Sequence, residues 1–179
     1  IGATTMGYGL GVASVSDMNV RAKRRSIAVM GDGGFWHNGL TSGIGNAVYN
    51  QSDDVILLVD NFYSAATGGQ DLLSSRAQPL HRSTRHPLED AVRGVGVQWV
   101  RRIDHTYSVG HMRDILKEAL TTKASGPKVV IASSECMLNR QRRERPQVQA
   151  AMRREERVVT QKFGVDADEL WDPRLNVQL

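Results

Sequence analysis

Short apolar runs that stop abruptly on glycine or on an acid–amide pair constrain this chain more than any other feature. Residues 25–30 (RSIAVM) end at Gly31-Asp32-Gly33-Gly34, and the five apolar residues Val55 to Val59 end at Asp60-Asn61. GVQWVRRI and KVVIASSE supply a third and a fourth run. Such runs, continuous instead of alternating, predict strands buried on both faces. Between them, 38–49 and 88–94 read as helices. From Ser108 to Lys123, Val109, Met112, Ile115, Leu116, Ala119 and Leu120 recur at helical spacing. Strands alternating with helices predict an α/β fold: a mostly parallel sheet with helices on both faces. In such sheets ligands bind at the carboxyl ends of the strands, where two of the runs carry their polar residues.

The remaining segments are less regular. Residues 5–18 form a helix only against the propensity of Gly7, Gly9 and Gly11, glycines that suit close packing or approach to a ligand. GDGGFWHNG reads as a tight loop, and 62–87 as a long one of the sort that is often functional. At 179 residues there is room for one core and an appendage, and the entry at Ile1 into a patterned segment is expected of a piece of a longer polypeptide.

No apolar stretch reaches the ~18 residues of a membrane span. Cys136 is the only cysteine, which excludes an internal disulfide and makes a reducing, cytoplasmic setting the expectation. A net charge of +4 raises nucleic acid as a partner. Yet Arg140, Arg142, Arg143, Arg145, Arg153, Arg154 and Arg157 alternate with Glu144, Glu155 and Glu156, the pattern of a solvated helical face or a subunit contact. Nucleic-acid binding is the lesser reading.

Gly31, Gly33 and Gly34 allow backbone N–H groups to approach phosphate oxygens, and a helix N-terminus adds its dipole. A carboxylate at that place repels a diphosphate unless a cation lies between them, so Asp32 argues for Mg²⁺, which prefers oxygen ligands. The Asn61 amide and the Tyr63 carbonyl are candidates for the other oxygens. Gly-Asp-Gly by itself is also an ordinary strand-to-helix turn; a second oxygen donor at the next strand end strengthens the metal reading.

These residues resemble a known family. GDGG at 31–34 followed by Asp60-Asn61 is similar to the thiamine-diphosphate motif that runs from Gly-Asp-Gly to Asn-Asn, with Asp60 departing from the commonest first position. GDGGFWHNGLTSGIGNAVYNQSDDVILLVDNFYSAATGGQ further resembles the C-terminal cofactor domain of 2-oxoacid:ferredoxin oxidoreductases, closest to the indolepyruvate type. There a His follows the glycine motif, as His37 does, and a Thr-Gly-x-Gln loop follows the metal ligand, as Thr67-Gly68-Gly69-Gln70 does. The upstream TTMGYGLG, with Gly7, sits where that family has a glycine-rich segment lining the cofactor.

The resemblance implies a thiamine-diphosphate- and Mg-binding domain over 1–137 with a basic helical extension over 138–179. It implies oxidative decarboxylation of a 2-oxoacid, with electrons passed to iron–sulfur clusters and the acyl group to coenzyme A. One cysteine cannot hold a cluster, so clusters are expected outside this chain, on another segment or subunit. The pyrimidine-binding half, with its glutamate, is likewise expected on a partner domain or subunit of a homo- or hetero-oligomer. Two alternatives stay open: a decarboxylase or synthase half without iron–sulfur chemistry, and a non-catalytic assembly subunit. His37 either contacts diphosphate or substrate or is simply an early helix residue. Thr67 and Gln70 are expected to order the cofactor loop, and Phe35, Trp36 and Tyr63 to pack beside it.

Overall fold

The computed structural model describes residues 9–22, 24–75 and 84–156. Helix α1 (Gly11–Ala22) leads into strand β1 (Ile27–Gly31). A continuous helical run, α2, follows at once: an α-turn Asp32–Gly34, a π-helical stretch Phe35–Gly45 and an α-turn Asn46–Tyr49. Then come β2 (Val55–Asp60), α3 (Leu88–Gly94), β3 (Trp99–Ile103), α4 (Val109–Thr121), β4 (Lys128–Ser133) and α5 (Met137–Arg153). Among the described residues four strands pair, all parallel, in the order β1-β2-β4-β3. The expected α/β architecture is therefore present.

Both faces of the central strands are covered, which is why β2 and β4 are apolar without alternation. On one face Ala28, Met30, Ile56, Leu58, Val129 and Ile131 pack with Val12 and Val15 of α1, Phe35, Ile44 and Ala47 of α2, and Leu88 and Val92 of α3. On the other, Val55, Trp99, Ile103 and Val130 meet Met112, Ile115, Leu116 and Ala119 of α4. Each fully buried Leu, Ile, Val or Phe contributes roughly 1.5–3 kcal/mol. The opposite end of the sheet is pinned by charge: the Lys128 ammonium, wholly buried, pairs with Asp53 and donates to the Gly126 carbonyl at 2.7 Å. Arg25 Nε donates to the same carboxylate at 2.8 Å.

Several boundaries differ from expectation, for physical reasons. GDGGFWHNG is not a loop; the helix starts at Asp32, directly on the end of β1. Its glycines are poor helix formers, but they let α2 lie against its neighbours. A Cβ on Gly39 would strike the Met30 sulfur, and one on Gly43 would come to 3.3 Å from the Gly9 carbonyl oxygen. Of the helix expected over 5–18, residues 5–8 lie outside the described residues; α1 begins at Gly11 because Gly9 adopts φ +78 and cannot be helical. β3 starts at Trp99, since Gly96 turns the chain at φ +104.

Gly9 carries a prediction. With that φ, and with a Cβ only 2.6 Å from the Gly34 carbonyl oxygen and 2.9 Å from the Gly39 nitrogen, it has no room for a side chain. Gly9→Ala is expected to cost about 2 kcal/mol, read as a lower urea midpoint of the full chain with an unchanged slope.

The chain divides into two compact units, residues 1–140 and 141–179, each described by itself. Within 141–156 the second unit is helical to Arg153, tolerates Pro146 inside the helix, and buries none of its side chains. Among the described residues no helix is long and apolar enough to cross a membrane.

Candidate functional site at the carboxyl edge of the sheet

Parallel pairing of β1 with β2 sets Gly31 opposite Val59, so the residues that follow each strand emerge side by side. Asp32 opens α2 and is only 2% exposed. Its Oδ1 accepts the Gly33 N–H at 2.8 Å, and its Oδ2 accepts the Asn61 N–H at 3.0 Å. The carboxylate thus ties the start of α2 to the end of β2, the two places where the sequence set its oxygen donors. Burial pushes Asp32 up to about 6; the Gly33 N–H opposes this, the nearby charge of Asp60 adds to it, and the N–H groups of Asn61 and Phe62 oppose it.

Beyond β2 the chain turns through Phe62, which holds φ +70, unusual for a bulky residue. That turn is braced: the Phe62 carbonyl accepts the Ser75 hydroxyl at 2.5 Å, and Ser75 is fully buried. The turn also brings the Tyr63 N–H to the Asn61 Oδ1 at 3.1 Å, fixing the amide's orientation and leaving a lone pair of that oxygen for a ligand. The following loop closes on itself, with the Ser64 N–H donating to the Gln70 carbonyl at 2.9 Å and the Gly69 N–H to the Ser64 carbonyl at 3.0 Å. A 3₁₀ turn, Ala65–Thr67, and the positive φ of Gly68 and Gly69 shape it.

Asp32 and Asn61 are therefore brought together, with Gly31, Gly33 and Gly34 at the helix start and Tyr63, Thr67, Gly68 and Gln70 in the adjoining loop. His37 is exposed in the π-helical stretch, and the Gln70 side chain is exposed as well. Gly7 lies outside the described residues, but Gly9 of the same glycine-rich segment packs against Gly34. Trp36 donates its indole N–H to the Ser74 hydroxyl at 2.9 Å and stands edge-on to Phe35, a packing role as expected.

Two partners of the site carry no sequence signal that spacing would detect. Asn139, in the first turn of α5, lies over Gly69, where a Cβ would come to 2.6 Å from its Oδ1. Its Nδ2 is buried without a hydrogen-bond partner. Ser133, at the end of β4, donates to the Asp60 carboxylate at 3.0 Å. Both contacts join segments about seventy residues apart, and only the sheet order reveals them.

The donor set consists of oxygens, which suits a hard divalent cation. Among the described residues no group of three or more His, Cys, Asp or Glu could hold a metal ion. An ion beside Asp32 and Asn61 would thus need a carbonyl, water or the bound diphosphate to complete its shell. The glycine cradle, closed to any side chain at Gly9 and Gly39, leaves backbone close to the helix start.

Residues 1–132 match the family model described as thiamine pyrophosphate enzyme, C-terminal TPP binding domain. The indolepyruvate oxidoreductase subunit IorA of Archaeoglobus fulgidus is 36% identical over 141 residues, which is 78% of this chain and 21% of that protein. The same subunit of Thermococcus kodakarensis is 30% identical over 139 residues, 74% of this chain and 21% of its own length, so the chain spans about a fifth of such relatives. Among solved structures, a 2-oxoglutarate:ferredoxin oxidoreductase from Magnetococcus marinus shares the fold with a TM-score of 0.58 at 18% identity, over 72% of this chain and 46% of that one. The chain belongs to the thiamine pyrophosphate enzyme family and carries its C-terminal TPP-binding domain.

Proposed function

We propose that this chain holds thiamine diphosphate through Mg²⁺, with Asp32, Asn61 and the Tyr63 carbonyl as metal ligands, as part of a 2-oxoacid oxidoreductase. The observation that carries this reading is the hydrogen bond from the Asn61 N–H to the Asp32 carboxylate, which sets two hard oxygen donors side by side at adjacent strand ends. When bound, thiamine diphosphate supplies the carbanion chemistry that decarboxylates 2-oxoacids. The chain's own part is to hold and orient. Gly31, Gly33 and Gly34 at the helix start, with the loop of Thr67, Gly68 and Gln70, would hold the diphosphate.

The relatives named indolepyruvate oxidoreductase favour an aryl 2-oxoacid as substrate, and a ferredoxin-type acceptor is proposed with it. On this reading 1–137 is the cofactor domain, 138–179 is a basic extension, and iron–sulfur clusters and the coenzyme A site lie elsewhere in a cytoplasmic assembly. The partner that supplies the pyrimidine-binding half has a surface available: Val29 of β1 is 64% exposed and Val59 of β2 37% exposed.

The test is to supply the native assembly with indolepyruvate, coenzyme A and an iron–sulfur electron acceptor. Substrate-dependent reduction of the acceptor with release of CO₂ is the expected result. Release of CO₂ without acceptor reduction would contradict the oxidoreductase reading and favour a decarboxylase half.

A further inference from the structure

Three strands lay a polar chain across the carboxyl edge of the sheet. Asp60 ends β2, Ser133 is its register partner on β4, and Arg102 lies next along on β3. The Arg102 guanidinium donates through Nη2 to the Ser133 hydroxyl at 2.8 Å, and that hydroxyl donates onward to the Asp60 Oδ2 at 3.0 Å. The same Nη2 stands 3.8 Å from the Asp60 carboxylate. Arg102 is itself held at its other side, with Nε donating to Asp104 at 2.8 Å. From Arg102 through Ser133 to Asp60 both bonds run the same way, so the first polarises the second.

Asp60 has reason to need this. It is 2% exposed, directly precedes Asn61, and lies close enough to Asp32 for the two charges to repel. A second buried carboxylate beside a metal-binding one draws the strand ends apart unless something balances it.

We infer that Arg102, acting through Ser133, is a positioning residue that balances the Asp60 carboxylate and thereby holds Asn61 in register with Asp32. The role assigned to Arg102 is exerted through Ser133 and Asp60, and it sets the geometry in which Asn61 binds. The inference rests on the cofactor reading above, and adds that Asp60 and Arg102 work as a pair.

The test is a double-mutant cycle on the full chain in its native assembly, using R102Q, R102K, D60N and D60N/R102Q. The readouts are the Kd for magnesium–thiamine diphosphate by titration calorimetry and the melting temperature without cofactor. R102Q is expected to weaken binding about tenfold, R102K to recover part of that loss, and R102Q in the D60N background to change Kd by less than about twofold. An equal loss from R102Q in both backgrounds, or none in either, overturns the pairing. If the unaltered protein binds no cofactor, the reading of the site falls by itself. The melting temperatures then judge the pair, and a drop on R102Q that persists unchanged in the D60N background overturns it.

Discussion

Asp32→Ala is expected to abolish retention of thiamine diphosphate while leaving the chain folded. Asp32 is buried, and its two oxygens are already engaged by the Gly33 and Asn61 N–H groups. In the proposed site those oxygens also face the cation. Removing one member of a buried charge pair costs roughly 3–5 kcal/mol, which corresponds to a rise in Kd of roughly 200-fold to 5,000-fold. Calorimetric titration with magnesium and thiamine diphosphate reads it directly. Asp32→Asn removes the negative charge and one of the two acceptors while keeping a similar size. Near-native affinity in the asparagine variant would contradict a metal-ligating role.

Phe35→Ala is expected to produce the largest loss of stability, about 3–5 kcal/mol by the range for buried aromatics. Phe35 is wholly buried one turn into α2 and packs in the larger core, with Trp36 edge-on at 4.8 Å between ring centroids. The residue roots the helix whose first turn carries Asp32, so cofactor affinity should fall along with stability. Urea unfolding measures the first effect. Val20→Ala, at a position 80% exposed, serves as the control and is expected within about 0.5 kcal/mol of the unaltered chain. Equal midpoints for the two variants would contradict the core assignment.

The strands and the later helices were legible because their signal is local. Val55 to Leu58 packs against helices on both faces, so the run is apolar without alternation; α4 shows one apolar stripe because one face meets the sheet. What local pattern misjudged was the start of α2. Gly33 and Gly34 argue for a loop by propensity, yet both are buried in a helical turn, with Gly34 packed against Gly9. Tertiary packing overrides propensity there, and glycine is the residue that makes the close approach possible.

The candidate site was legible for the same reason in part. Asp32 and Asn61 end two runs that turn out to be neighbouring strands, and the motif they form stands out by residue type. The residues that brace them did not stand out. Ser75 holds the strained Phe62 turn from thirteen residues away, and Arg102 is hydrogen-bonded to Asp60 through Ser133, across three strands. Nothing in the spacing of a serine and an arginine announces such a bond; it exists because the strand order places β4 between β2 and β3.

The proposed function requires this fold to hold thiamine diphosphate through a divalent cation. Its most direct test is mass-spectrometric assay of the cofactor, with metal analysis, in the purified native assembly. Near-stoichiometric thiamine diphosphate and magnesium, both lost from the Asp32→Ala assembly, is the predicted result. Absence of the cofactor from the unaltered assembly, even after supplementation with both components, would contradict the account and leave a fold retained for assembly alone.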